Sequence, residues 1–189
     1  METIEDFYQH HCREASDIHE HLPTLARYAK GCAHVTEMGV RTVVSTWAFL
    51  HARPKKLVCI DINPAPIEYA QRLAASSGVQ LQFRQADTGD EKFEIEPTDL
   101  LFIDTWHVYD QLKRELDLHA EQARRWIILH DTTTFADFGE GYTYECATRP
   151  GRRRKGLWPA IEEFLLQNRH WQLWEKYANN NGLTVLARR

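Results

Sequence analysis

Residues 35–46 read VTEMGVRTVVST, and the fold follows from how this stretch is divided. A short apolar run, residues 34–38, carries Glu37. A turn follows at Gly39, and Ser45 or Thr46 then opens a helix. Further on, LVCI runs straight into Asp61. Strand, glycine turn, helix, strand and acidic residue is the beginning of a nucleotide-binding α/β sheet. In such sheets ligands sit beyond the carboxyl ends of the strands, where the strand order reverses.

The pattern continues along the chain. Pro66 starts a helix that Gly78 closes, and a strand over 79–85 is followed by Asp87. DLLFID (99–104) reads as a fourth strand, 109–123 as a helix, and RWIILHD (125–131) as a fifth strand. Apolar strands alternating with amphipathic helices imply parallel strands joined by right-handed crossovers. The end differs. After a helix over 159–168, WQLWEKY and LTVLAR flank ANNNG, a turn built from residues that tolerate positive φ. Two strands joined so tightly must be antiparallel.

Residues 1–31 read as a helical segment covering the sheet. Asp17 and Glu20 have capping-box spacing, Pro23 suits a first helical turn, and Gly31 ends the second helix. The expected organisation is this segment plus one domain over 32–189. The 189 residues suffice for one substantial core but not comfortably for two. Four cysteines without C-x-x-C spacing read as reduced thiols. The acidic, polar beginning does not read as a signal peptide, and no apolar run has membrane-spanning length, so a cytoplasmic protein without membrane contact is expected. A net charge of -4 argues against general nucleic-acid binding. Monomer and homo-oligomer both remain open.

The candidate site residues all fall just after apolar strands. Gly39 allows close backbone approach to a ligand. Arg41 and Val44 stand where a dinucleotide fingerprint needs glycine, which argues against NAD and FAD. Glu37 suits a cationic ligand group, Asp61 the two hydroxyls of a ribose, and Asp87 an adenine amino group. Asp104, His107, His130 and Asp131 follow two strands expected to be neighbours. Asp104 and Asp131 suit a divalent cation such as Mg²⁺, which would lower the pKa of a bound hydroxyl. Either imidazole could instead take the proton itself.

These motifs resemble the class I methyltransferases that use S-adenosylmethionine. FIDTWHVYDQL and IILHDTTTF further resemble the small bacterial group related to cephalosporin hydroxylase and macrolide O-methyltransferases, whose fourth strand ends in I-D-x-x-H-x-Y and fifth in H-D-T. Ile103, Asp104, His107 and Tyr109, then His130, Asp131 and Thr132, match those patterns. The resemblance covers about residues 33–188 and implies a Rossmann-like sheet with a closing antiparallel hairpin. It also implies S-adenosylmethionine bound by Glu37, Gly39, Ser45, Asp61, Asp87 and Asp104, with O-methyl transfer to a small molecule at Asp104, His107, His130 and Asp131. Two departures are Thr42 and Val43, where the wider family often carries glycine. They keep open a cofactor-binding protein without transfer activity, and a metal-dependent enzyme of other chemistry also stays open. The long loop 132–156 reads as a lid whose basic run, RPGRRRK, would grip an anionic group of the substrate.

Overall fold

The computed structural model describes residues 2–141 and 155–189. Two helices lead, α1 (Ile4–Arg13) and α2 (Leu22–Ala29). The sheet unit then runs β1 (His34–Met38), α3 (Val44–Ala52), β2 (Lys56–Asp61), α4 (Glu68–Ser76), β3 (Gln80–Gln85), β4 (Thr98–Ile103), α5 (Tyr109–His119), β5 (Ala123–His130), α6 (Trp158–Gln167), β6 (Trp171–Tyr177) and β7 (Leu183–Arg188). The seven strands lie in the order β3-β2-β1-β4-β5-β7-β6. The first five are parallel, while β7 runs antiparallel to both β5 and β6. The strand order reverses between β1 and β4, and Met38 is level there with Ile60 on one side and Ile103 on the other.

Each face of the sheet is covered. Helices α1 to α4 bury one core around Phe49, Leu57 and Phe102. Helices α5 and α6 bury the other around Leu101, Ile127, Leu116 and Ile161. The inner strands are apolar on both faces because helices lie on both, which is why they read as continuous hydrophobic runs. Phe7 of α1 stacks on Trp47 of α3 at 4.4 Å, and Tyr8 stacks on His51 at 4.0 Å. These ring contacts lay α1 against α3. No helix among the described residues is long and apolar enough to cross a membrane.

Some boundaries differ from the sequence reading. The capping box is Thr3–Asp6 at the head of α1, not Asp17–Glu20. Asp17 is drawn to Arg41 at 2.6 Å, and the Glu20 amide donates to Asn180 Oδ1, so tertiary partners claim those groups. The fifth strand starts at Ala123 and stops at His130, because Asp131 turns to φ +60°. The fourth stops at Ile103, the third starts at Gln80, and α3 starts one residue early, at Val44. The helix after β4 ends at His119 and gives way to a single 3₁₀ turn. Trp171 and Trp47 are core residues, but Trp174 is 54% exposed on the edge strand β6. Of the proposed lid, residues 132–141 and 155–156 are described. Phe138 pairs with Lys155 in an antiparallel bridge that joins the two ends of the loop. Tyr142, Tyr144, Cys146 and the arginines of the basic run lie outside the described residues.

Candidate active site

Level parallel strands place the tips of β1, β2, β4 and β5 along one edge of the sheet. Glu37, Gly39, Asp61, Asp104, His130 and Asp131 are all there, and Asp87 follows β3 on the same edge. They do not form one cluster. They form four small polar groups side by side.

The largest lies across the β4 and β5 tips. The His107 ring sits with Nε2 2.8 Å from Asp131 Oδ2 and 3.2 Å from Asp104 Oδ1. Its Nδ1 is 3.1 Å from Glu140 Oε2, and Phe135 stacks flat on the ring at 4.8 Å. His130 Nδ1 faces the same two aspartates at 3.3 and 3.4 Å, and its Nε2 lies 3.2 Å from the Asn180 carbonyl oxygen. A carbonyl can only accept, so Nε2 carries a proton. The carboxylates also accept, so Nδ1 carries one as well. The same count applies to His107, and both rings are therefore imidazolium.

The electrostatics agree with that count. Burial alone would lower the pKa of either histidine, but hydrogen bonds and charge from Asp104 and Asp131 raise both to about 10. Burial would raise Asp104, yet His130 and His107 hold it well below the usual carboxylate range. Asp131 is lowered by the same two rings against its own burial. Asp131 is a non-glycine residue in the left-handed region at the end of a strand, which aspartate tolerates better than most. The reversal leaves its side chain buried between His107 and His130.

Three of these residues suit a cation. One ligand atom each from Asp104, His107 and Asp131 lies within 4.8 Å of the other two. Two carboxylate oxygens converging from two loops form a donor set that fits a divalent ion, and the His107 nitrogen beside them could join only after losing its proton. Ile103, Thr105, Trp106, Leu112, Leu129 and Leu157 line a narrow crevice beside them.

The second group is buried behind the glycine turn. Glu37 is fully enclosed and accepts from Ser45 Oγ at 2.5 Å, Thr46 Oγ1 at 2.7 Å and Cys59 Sγ at 3.0 Å. Burial raises its pKa to about 7, although the three donors pull the other way. Glu37 and Ser45 therefore bind each other in this structure and brace the start of α3. In the third group, Asp61 Oδ2 accepts the amides of Val40 and Arg41 at 2.8 and 3.0 Å, and Oδ1 accepts the Asn63 amide at 2.8 Å. The half-buried Asp61 thus ties the glycine turn to the tip of β2. In the fourth, the exposed Asp87 caps its own turn, with Oδ1 accepting the Gly89 amide at 2.8 Å.

The turn itself is tight. A Cβ on Gly39, which has φ +87°, would lie 1.9 Å from the Asp104 carbonyl oxygen, so only glycine lets β1 and β4 close there. Arg41 and Val43 take φ of +46° and +69°. Left-handed backbone is unusual for a β-branched residue, and it falls where the sequence lacks the expected glycine.

Two participants had no sequence signal. Glu140 lies in the long loop between two glycines, where an isolated acid reads as solvated. The Asn180 carbonyl comes from the hairpin turn and is a backbone group.

No family model and no curated protein sequence matches the chain. Solved structures do. A Staphylococcus aureus protein assigned provisionally as a caffeoyl-CoA O-methyltransferase is 13% identical with a TM-score of 0.63, the match covering 98% of this chain and 97% of that one. The magnesium protoporphyrin IX methyltransferase of Synechocystis PCC 6803, crystallised with bound SAH (S-adenosylhomocysteine), is 13% identical with a TM-score of 0.60, over 98% and 94%. The SAH-bound Podospora anserina methyltransferase PaMTH1 is 14% identical with a TM-score of 0.58, over 98% and 87%. At such identities the likeness is one of fold. The chain has the Rossmann-like class I methyltransferase fold, closing hairpin included.

Proposed function

We propose that this chain transfers a methyl group from S-adenosylmethionine to a hydroxyl of a small molecule, with a divalent cation held by Asp104 and Asp131. One observation carries the reading: two carboxylates and His107 converge at the neighbouring tips of β4 and β5, on the edge where this fold takes its ligand. The neighbours that hold SAH support the cofactor. The likeness to the cephalosporin hydroxylase and macrolide O-methyltransferase group, read from the I-D-x-x-H-x-Y and H-D-T motifs, stays part of the proposal.

Each group has a part in this reading. Asp61 presents a half-buried carboxylate for ribose hydroxyls, Asp87 faces the adenine side, and Asp104 stands toward the reacting end. Gly39 keeps the turn thin. Glu37 and Ser45 contribute from behind by fixing the turn and α3. When bound, the cation lowers the pKa of the acceptor hydroxyl. His130 has both nitrogens engaged, so it orients Asp104 and Asp131. A cation on Asp104 and Asp131 would offset the two charges that hold the His107 proton; the ring, then neutral, would keep Nδ1–H on Glu140 and receive the hydroxyl proton at Nε2. Phe135 holds its ring plane. Alignment of methyl, sulfur and acceptor supplies most of the acceleration. An anionic acceptor gripped by the basic loop, and a cytoplasmic setting, belong to the same proposal.

The test is direct. The chelated protein is mixed with S-adenosylmethionine and a panel of small hydroxylated acceptors, with and without Mg²⁺ or Mn²⁺, and SAH and methylated product are counted by mass spectrometry. Equal amounts of both, lost on chelation, support the reading. No heat of S-adenosylmethionine binding at millimolar cofactor would overturn it. Left-handed backbone at the non-glycine residues Arg41 and Val43 favours a second reading, a cofactor-binding protein without transfer. A protein stabilised by cofactor but silent with every acceptor would support that one.

A further inference from the structure

Helix α5 carries a polar stripe where a helix of this kind should meet solvent. Leu112 and Leu116 pack on the sheet, as their spacing requires. Gln111, Glu115 and His119 follow each other at i, i+4 and i+8, yet Glu115 and His119 are buried, at 0% and 1% exposure. Burying a carboxylate is costly unless its oxygens are fully matched. Glu115 matches both. Oε1 accepts from Thr88 Oγ1 at 2.5 Å and Gln111 Nε2 at 2.9 Å, and Oε2 accepts from Thr105 Oγ1 at 2.8 Å. Thr88 belongs to the loop after β3 and Thr105 to the loop after β4. His119 Nε2 adds a 2.8 Å bond to the Thr88 carbonyl, and Arg114 Nε donates to the Gly89 carbonyl. A single carboxylate therefore bridges two loops that have no direct connection along the sheet, since β2 and β1 lie between their strands.

Those two loops carry Asp87 and Asp104. We propose that Glu115 is a positioning residue that locks the β3 and β4 loops together as one wall of the cofactor site. This rests on the methyltransferase reading above. Glu115 touches neither cofactor nor acceptor. It acts by keeping Asp87 and Asp104 at a set separation, so its loss is felt in cofactor affinity before it is felt in the transfer step.

Calorimetry with SAH on the full chain tests the assignment. Glu115→Ala should weaken SAH binding at least about tenfold, while Glu115→Gln, which keeps the shape and a bridging amide, stays within about threefold of wild type. In turnover, Glu115→Ala should raise the cofactor KM by more than the acceptor KM. Amide exchange should quicken together in residues 86–90 and 104–107 without a matching change in the β1 and β2 amides. If Glu115→Ala does not fold, Thr88→Val and Thr105→Val each remove one donor. Each should weaken SAH binding, and the pair together by less than the product of the two. Wild-type affinity in a folded Glu115→Ala or in both valine variants overturns the assignment, as does loosening of one loop without the other. A wild type that takes no SAH instead overturns the methyltransferase reading and the cofactor half of this assignment with it.

Discussion

Glu37 offers the sharpest test of how the turn is built. It is fully enclosed, and burial raises its pKa from 4.5 to about 7. A group whose folded pKa lies above its unfolded one gives its full stability below the unfolded value and loses it as pH rises through the folded value. Glu37 therefore favours folding most below pH 4.5 and opposes it increasingly up to about pH 7. At 1.36 kcal/mol per pKa unit, the swing is roughly 3 kcal/mol. Glu37→Gln keeps the volume and the hydrogen-bonding reach but cannot ionise. The assay is the urea midpoint of wild type and variant at constant ionic strength across this range. The wild type should lose roughly 3 kcal/mol relative to the variant as pH rises to neutrality, after which the difference stays flat. The two histidines of the neighbouring cluster also titrate differently on folding, but they are present in both proteins and cancel. Parallel curves would show that folding leaves the pKa of Glu37 at its unfolded value, with Ser45, Thr46 and Cys59 offsetting its burial. SAH affinity of the variant should change by less than about threefold, under ~1 kcal/mol, if Glu37 works through the turn. A larger loss would place it on the cofactor.

Three further outcomes are expected. Asp104→Asn and Asp131→Asn should each lower turnover by about 10²-fold or more, Asp131→Asn with SAH affinity unchanged because it serves the acceptor side alone, Asp104→Asn with weakened SAH binding as well; undiminished turnover in either removes it from the mechanism. Gly39→Ala must fit a Cβ 1.9 Å from the Asp104 carbonyl oxygen at φ +87°, a strain of ~3 kcal/mol or more from overpacking and backbone together, and a melting temperature equal to wild type would refute the close approach of β1 and β4. With chelator present, His107 and His130 stabilise the fold fully below pH 6.5, and that contribution is lost as pH rises through about 10. His130→Asn should flatten this alkaline decline in urea midpoints, and an unchanged slope would show that the ring is not charged.

The class of fold was open to reading because burial has a period. Strands covered on both faces must be apolar throughout, helices between them must be apolar on one side, and a chain that alternates the two can only build a parallel sheet. Parallel strands in turn put their carboxyl ends on one edge, so the acids after LVCI and DLLFI, and the His-Asp pair after RWIIL, had to share that edge. ANNNG likewise announced the hairpin. The partners of each acid were not legible in this way. Glu37 looked free to meet a ligand, yet Ser45, Thr46 and Cys59 enclose it, donors drawn from the next helix and the next strand. Asp17 and Glu20 had capping-box spacing but were claimed by Arg41 and Asn180. Nothing near Glu115 in the chain marks it as buried, and only the fold brought Thr88 and Thr105 to it. Glu140 and the Asn180 carbonyl reached the two histidines from loops remote in the chain. Pattern reports which face of an element leaves water, a property of near neighbours. Which donor satisfies a buried carboxylate depends on groups tens of residues apart that meet only after the sheet has closed, and no local period records that meeting.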